Sequence, residues 1–199
     1  MWKESIEEYE NQKTVNVHGC KDYASFWNQM SELPDVEKIN LYFGTMPDCH
    51  DFCRLPKLKE LRMCYLKKLS DLHGIEVLGP TLKSLGFETG AGKNIKDWSP
   101  LSALTELEEL VIGNNSVIAD LHFLEPMKKL NNLRIVGVKI TAEDLNPLRG
   151  IEQVVFYRTG IDRKLDAFLS SSQRSFRTAV FERLDEIKKD LQEQYNQAQ

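Results

Sequence analysis

The sequence predicts an α/β solenoid, with short parallel strands stacked turn upon turn on a concave side and helices closing both ends. Three observations carry this. The apolar trace L-x-x-L-x-L recurs six times: Val36/Ile39/Leu41, Leu58/Leu61/Met63, Leu82/Leu85/Phe87, Leu107/Leu110/Ile112, Leu130/Leu133/Ile135 and Ile151/Val154/Phe156. The central residues follow one another at intervals of 22, 24, 25, 23 and 21. A lone amphipathic helix needs no such period; a solenoid does, because each turn buries its apolar face only against its neighbours. The composition, 41% hydrophobic and 28% charged, is that of an ordinary globular chain able to build that core.

The elements follow in order. Residues 1–12 are acidic and read as a short helix or a loose end. Val15 and Val17 fit a degenerate first repeat, 24 residues before Ile39. "DYASFWNQMSE" (22–32) predicts a helix with Asp22 as N-cap and Phe26 and Met30 facing the core. Residues 1–32 are therefore an N-terminal helical cap. Residues 33–161 hold the repeats, each with a strand whose residues two apart, such as Leu110 and Ile112, point inward while the intervening ones point out. Residues 162–199 form a C-terminal helical cap or extension. "LDAFLSS" (165–171) predicts a short helix, and Ser172 an N-cap for a longer one to about residue 195. Phe176, Val180, Leu184, Ile187 and Leu191 give that helix an apolar stripe. The stripe fits a cap packed on its own solenoid, or a face that docks a partner or a second copy. Asp185 and Lys189 are a supporting charge pair.

The stretches between strands, such as "LSDLHGIEVL" (69–78) and "IADLHFLEPM" (118–127), share a second pattern. With "IKDWSPLSALTELEELVIGNN" (95–115), they make the chain resemble the leucine-rich repeat family. It is most similar to the short-period class, of about 22 residues, found in bacterial internalins and in regulatory subunits of protein phosphatases. The resemblance covers residues 33–161 and extends toward 14. It implies the solenoid fold and a surface used for recognition. The family's asparagine stands only at Asn115; the equivalent positions hold Gly44, Leu66, Gly90, Val138 and Thr159.

Several functions are disfavoured. A net charge of −4 speaks against nucleic acid, which is bound mainly through clustered Lys and Arg. "MWKESIEEYENQ" has no signal-peptide pattern, and no apolar run is long enough to span a bilayer. The expected setting is cytoplasmic, without membrane partners, with Cys20, Cys49, Cys53 and Cys64 as reduced thiols. "CHDFC" (49–53), with Cys64 and His73, offers metal ligands at spacings unlike a known finger. The alternative reading is an inter-repeat loop with Phe52, and Cys53 beside it, facing the core. "TGAGKN" (89–94) fails the phosphate-loop pattern at both ends and reads as a glycine-rich bulge. The four histidines are scattered, and no nucleophile, base and orienting group assemble. The expectation is a non-enzyme with no cofactor and no metal.

The outward strand positions form the candidate surface. One column runs through Asn16, Asn40, Arg62, Gly86, Val111, Arg134 and Val155. The next runs through His18, Tyr42, Cys64, Glu88, Gly113, Val136 and Tyr157. Gly86, Val111 and Gly113 predict a shallow floor that a partner side chain could enter. Tyr and Arg are enriched at interface hot spots, so Asn40, Tyr42, Arg62, Tyr65, Glu88, Glu109, Arg134, Tyr157 and Arg158 are the expected contacts with a protein partner. The expected function is non-catalytic binding of a protein through the concave face, as an immunity or inhibitor protein against a toxin or enzyme. The alternatives are a regulatory adaptor, a scaffold self-associating through the C-terminal helix, and a Cys/His metal enzyme. The expected state is a monomer or weak dimer.

Overall fold

The computed structural model of the protein describes residues 13–113 and 115–197; the side chains of residues 162, 184, 188 and 190–197 lie outside the description. The reading of residues 1–12 also falls outside it.

Seven strands form one parallel sheet: β1 (Thr14–His18), β2 (Lys38–Tyr42), β3 (Glu60–Cys64), β4 (Ser84–Glu88), β5 (Glu109–Gly113), β7 (Asn132–Val136) and β9 (Gln153–Tyr157). They are joined in chain order, with β6 (Val117–Ile118) and β8 (Lys139–Ile140) pairing separately. The register aligns Val15, Ile39, Leu61, Leu85, Leu110, Leu133 and Val154 in one row, and Val17, Leu41, Met63, Phe87, Ile112, Ile135 and Phe156 in another. Both rows are buried. Each apolar side chain thus meets its counterpart in the next turn, so the period of the sequence becomes a continuous core.

The opposite side is made of short 3-10 segments, including His50–Arg54, Ile75–Leu78, Ser99–Ala103, His122–Leu124 and Asn146–Leu148. At or just before the start of each, an aspartate carboxylate accepts from the amide two residues on. Asp48, Asp71, Asp97, Asp120 and Asp144 accept from the N–H groups of His50, His73, Ser99, His122 and Asn146 at 2.8–3.2 Å. These are Asx turns, which satisfy amides that a short helix leaves free. They correct the view of the histidines as scattered: His50, His73 and His122 hold one equivalent position in three repeats. The Asp-x-His string at 48–50, 71–73 and 120–122 carries this in the sequence itself.

The loops also correct two further expectations. Cys49, not Cys53, is buried beside Phe52, and Cys53 is exposed. Asn115 is exposed and left-handed (φ 58). The Val117↔Lys139 pairing shows why: the loop after β5 is one residue longer than that after β7. Ser116 takes the buried place instead, its carbonyl accepting from Lys139 N at 3.0 Å.

At the N-terminal end, α1 (Tyr23–Met30) is capped by Asp22, whose carboxylate accepts from Ser25 N at 3.1 Å. Phe26, Trp27 and Met30 are buried, with the Trp27 ring edge-on to Phe52. Tyr23 is half-buried, and its hydroxyl fills the space above Gly44. Burial raises its pKa.

At the other end, α2 is Asp162–Phe168, beginning three residues before the expected start, and α3 is Ser171–Gln197. The cap of α3 is Ser170 rather than Ser172. Its hydroxyl accepts from Gln173 N (3.3 Å), while Gln173 Oε1 accepts from Ser170 N (2.9 Å), a reciprocal capping box. The face of α3 that meets the solenoid carries Gln173, Arg177 and Phe181. Gln173 Nε2 donates to the carbonyls of Leu148 (3.1 Å) and Ile151 (2.6 Å). Arg177 donates to Phe156 O (3.3 Å) and pairs with Asp166. Of the predicted stripe, Phe176 and Val180 flank this face and are half-buried, Ile187 is 40% exposed, and the side chains of Leu184 and Leu191 lie outside the description. The last repeat offers carbonyls as well as apolar surface, and polar donors answer them.

Candidate interaction surface

The outward columns lie where strand alternation places them, but their centre is not open. Arg62 Nη2 donates to Glu109 Oε2 at 2.5 Å and to Ser84 Oγ at 3.0 Å, and Arg62 Nη1 lies 3.5 Å from Glu88 Oε1. Ser84 Oγ donates to the same Glu109 oxygen at 2.7 Å. Burial pushes the Glu109 carboxyl up, but the Ser84 hydroxyl and the Arg62 guanidinium together outweigh it and hold the pKa below the ordinary value. A Cβ on Gly86 would sit 2.7 Å from Arg62 Cδ. Arg62 therefore lies across Gly86 and fills the expected floor there. Arg62, Glu88 and Glu109 are engaged with one another.

Of the other expected contacts, Asn40 donates to Asn16 Oδ1 on the neighbouring strand at 2.7 Å. Tyr42 stacks on His18, with centroids 4.6 Å apart, and burial raises its pKa. Arg134 is exposed and donates to Asn132 Oδ1 at 3.2 Å. Val155, in the same column, is buried.

Tyr65, Tyr157 and Arg158 are brought together at the downstream rim, where strands pass into their loops. Here a groove of about 590 Å³ runs between Tyr65 and Tyr157. Gly90, Gly113, Val136 and Gly137 contribute to its lining, with Lys67, Lys93 and Arg158 at its margins. Gly113 is the open part of the predicted floor, since a Cβ there would meet nothing closer than 3.9 Å.

The rim backbone is unusual. The residue after each of six strands is left-handed: Gly19 (φ 66), Phe43 (57), Tyr65 (57), Thr89 (49), Gly137 (66) and Arg158 (56). Glycine takes this conformation freely, whereas bulky side chains do so at a cost of about 1–2 kcal/mol. Phe43 and Tyr65 are nevertheless 58% and 39% exposed, stacked with centroids 4.5 Å apart and planes 9° apart. Val136 nearby is 40% exposed. Sequence reasoning missed Phe43, although its alignment with Gly19 and Gly137 marks it as a side chain forced outward. It also missed Lys67 and Lys93, whose loops differ in length and give no alignable signal.

The candidate metal ligands are not brought together. Among the described residues, no group of three or more His, Cys, Asp or Glu side chains is placed to hold a metal ion. Burial raises the pKa of the Cys49 and Cys64 thiols. Among the described residues no helix is long and apolar enough to cross a membrane.

Solved structures similar to this chain include two internalins of Listeria monocytogenes. Internalin C2 superimposes with a TM-score of 0.54 at 24% identity, over 65% of this chain and 56% of that one. The internalin InlF gives 0.54 at 25% identity, over 73% of this chain and 42% of that one. The fold is an internalin-like leucine-rich repeat solenoid. The chain spans little more than half of the first protein and less than half of the second. No protein-family model matches the chain, and no curated protein matches it.

Proposed function

We propose that the chain is a non-catalytic recognition module that binds a protein through the outer face of its strand sheet, centred on the downstream rim. The observation that carries this is the exposed Phe43–Tyr65 stack on left-handed backbone, where two sister repeats place glycine. The stack returns at most part of the conformational cost of two left-handed bulky residues; backbone strain of this kind is kept at working surfaces. A large aromatic presented beside a groove is the material of an interface hot spot. No described histidine, aspartate or glutamate lines the groove to serve as acid or base.

The test is photo-crosslinking in the source cells. A photoreactive phenylalanine analogue replaces Tyr65 in one strain and Val77, exposed on the opposite side, in another. The expected result is a protein adduct from position 65 and none from 77. Adducts from 77 alone, or from neither, overturn the reading. The adduct's identity sorts the finer roles. A toxin or enzyme makes the chain an immunity or inhibitor protein, and a signalling component makes it an adaptor.

A further inference from the structure

The strand sheet treats its charges differently at its two rims. At the upstream rim, side chains neutralise one another across the turns. Glu37 accepts from Lys13 (2.7 Å) and Lys59 (2.9 Å), and Lys38 pairs with Glu60 (2.7 Å) and Lys83 with Glu108 (2.8 Å). The two lysines hold the Glu37 carboxyl down to about 2. At the downstream rim, Lys67, Lys93 and Arg158 border the groove, and no described carboxylate forms an ion pair with any of them. Glu88, the nearby acid of the outward column, is turned to Arg62. Three cations thus border one groove without a carboxylate partner among the described residues, Arg158 lying over the Tyr157 ring at 5.2 Å, on a chain whose net charge is −4.

Resting on the protein-binding reading above, we propose that the downstream groove takes an acidic segment of the partner, with an apolar residue of that segment seated on Val136 between Tyr65 and Tyr157. The cations satisfy the segment's carboxylates from both margins. The exposed valine and the aromatic walls supply the anchor, and the open Gly113 floor lets backbone approach closely. Charge complementarity of this sort sets specificity and on-rate, and its strength falls as salt screens it. A cationic groove also attracts phosphate. The aromatic walls and apolar floor favour a peptide, and an oligonucleotide serves as the competing probe.

The experiment pans a random 15-residue peptide display library on the full chain. Enriched peptides and a single-stranded oligonucleotide are then titrated by fluorescence anisotropy. Two variants accompany the wild type. Lys67→Glu/Lys93→Glu reverses charges at exposed positions. Gly113→Leu fills the groove from a site where a new Cβ meets nothing within 3.4 Å and the backbone is not left-handed, so it leaves the fold intact. The expected result is enrichment of peptides carrying Asp and Glu around an apolar residue. Their affinity falls roughly tenfold or more in both variants, and in the wild type weakens as salt is raised.

Neutral or basic peptides that Gly113→Leu blocks and Lys67→Glu/Lys93→Glu spares overturn the acidic assignment while leaving the groove as a protein site. Peptides indifferent to Gly113→Leu overturn the groove itself. No enrichment, or binding of the oligonucleotide alone, overturns the proposal of a peptide ligand.

Discussion

Gly44→Ala tests how the N-terminal helix is locked to the solenoid. The backbone at Gly44 is not left-handed, so alanine meets no conformational penalty there. What it meets is Tyr23. The new Cβ would overlap the Tyr23 hydroxyl and lie 3.0 Å from Leu66 Cδ2 and 3.1 Å from Tyr23 Cζ. The first of these is a steric impossibility; the others are tight contacts that a few tenths of an ångström relieve. The hydroxyl must leave, and overpacking of this kind costs about 1–3 kcal/mol. In a chain of this size each kcal/mol lowers Tm by about 2–4 °C. Tyr23→Phe removes the overlapping atom and leaves only the tight contacts. Gly44→Ala/Tyr23→Phe should therefore be more stable than the sum of the single changes, with a coupling of about 0.5–3 kcal/mol. Thermal and urea unfolding followed by circular dichroism reads all four proteins at unchanged m-value. If Gly44→Ala is neutral, or the double variant is no better than additive, the hydroxyl does not occupy the Gly44 space and the account of this cap is wrong.

Three further outcomes follow from the same geometry. Gln173→Leu strips two donors from the carbonyls of Leu148 and Ile151 and should destabilise by about 1–3 kcal/mol, with the loss of amide protection measured by hydrogen exchange concentrated in the last repeat. Thr159→Val should stabilise by about 1 kcal/mol, because the Thr159 hydroxyl is buried without a partner and Val138 stands in the equivalent place one repeat earlier; a fall in Tm contradicts this. Hydrogen bonds to Asp71 and Asp120 raise the pKa of His73 and His122 and, through the amides of the same histidines, lower those of the aspartates. The histidine contribution to stability is therefore full below about pH 6.5 and lost as pH rises through the folded values, whereas the aspartate contribution is present above about pH 3.9 and lost as pH falls through theirs. NMR titration should place both imidazoles above their ordinary value and return each toward it in Asp71→Asn and Asp120→Asn.

The strand rows were legible in sequence because the L-x-x-L-x-L trace fixes both register and inward direction, and Asp22 was legible as a cap from local chemistry alone. The C-terminal helix was harder. Ser170 and Ser172 are both good caps, and only the reach of Gln173 back to Ser170 decides between them. Its apolar period is echoed in the half-buried Phe176 and Val180, but it carries no sign that the last repeat presents open carbonyls, which Gln173 and Arg177 answer from deeper burial. The candidate site was half legible. Alternation placed Tyr65, Tyr157 and Arg158 at the rim, but it could not tell that Arg62 would bend across Gly86 to Glu109. Side-chain length and flexibility decide that, and they leave no mark on the repeat.

The measurement closest to the central claim is a pair of numbers on one variant, Phe43→Gly/Tyr65→Gly. The substitution releases two left-handed backbone positions, a gain of about 1–2 kcal/mol at each. Against this stands the loss of a stacked pair, about 0.5–1.5 kcal/mol, and part of the apolar contact beneath it. Tm should stay level or rise, while affinity for the protein crosslinked at position 65 falls at least about tenfold, the loss of one hot spot. A folded variant that binds this partner as tightly as the wild type would contradict the claim that these strained aromatics are held in place for recognition.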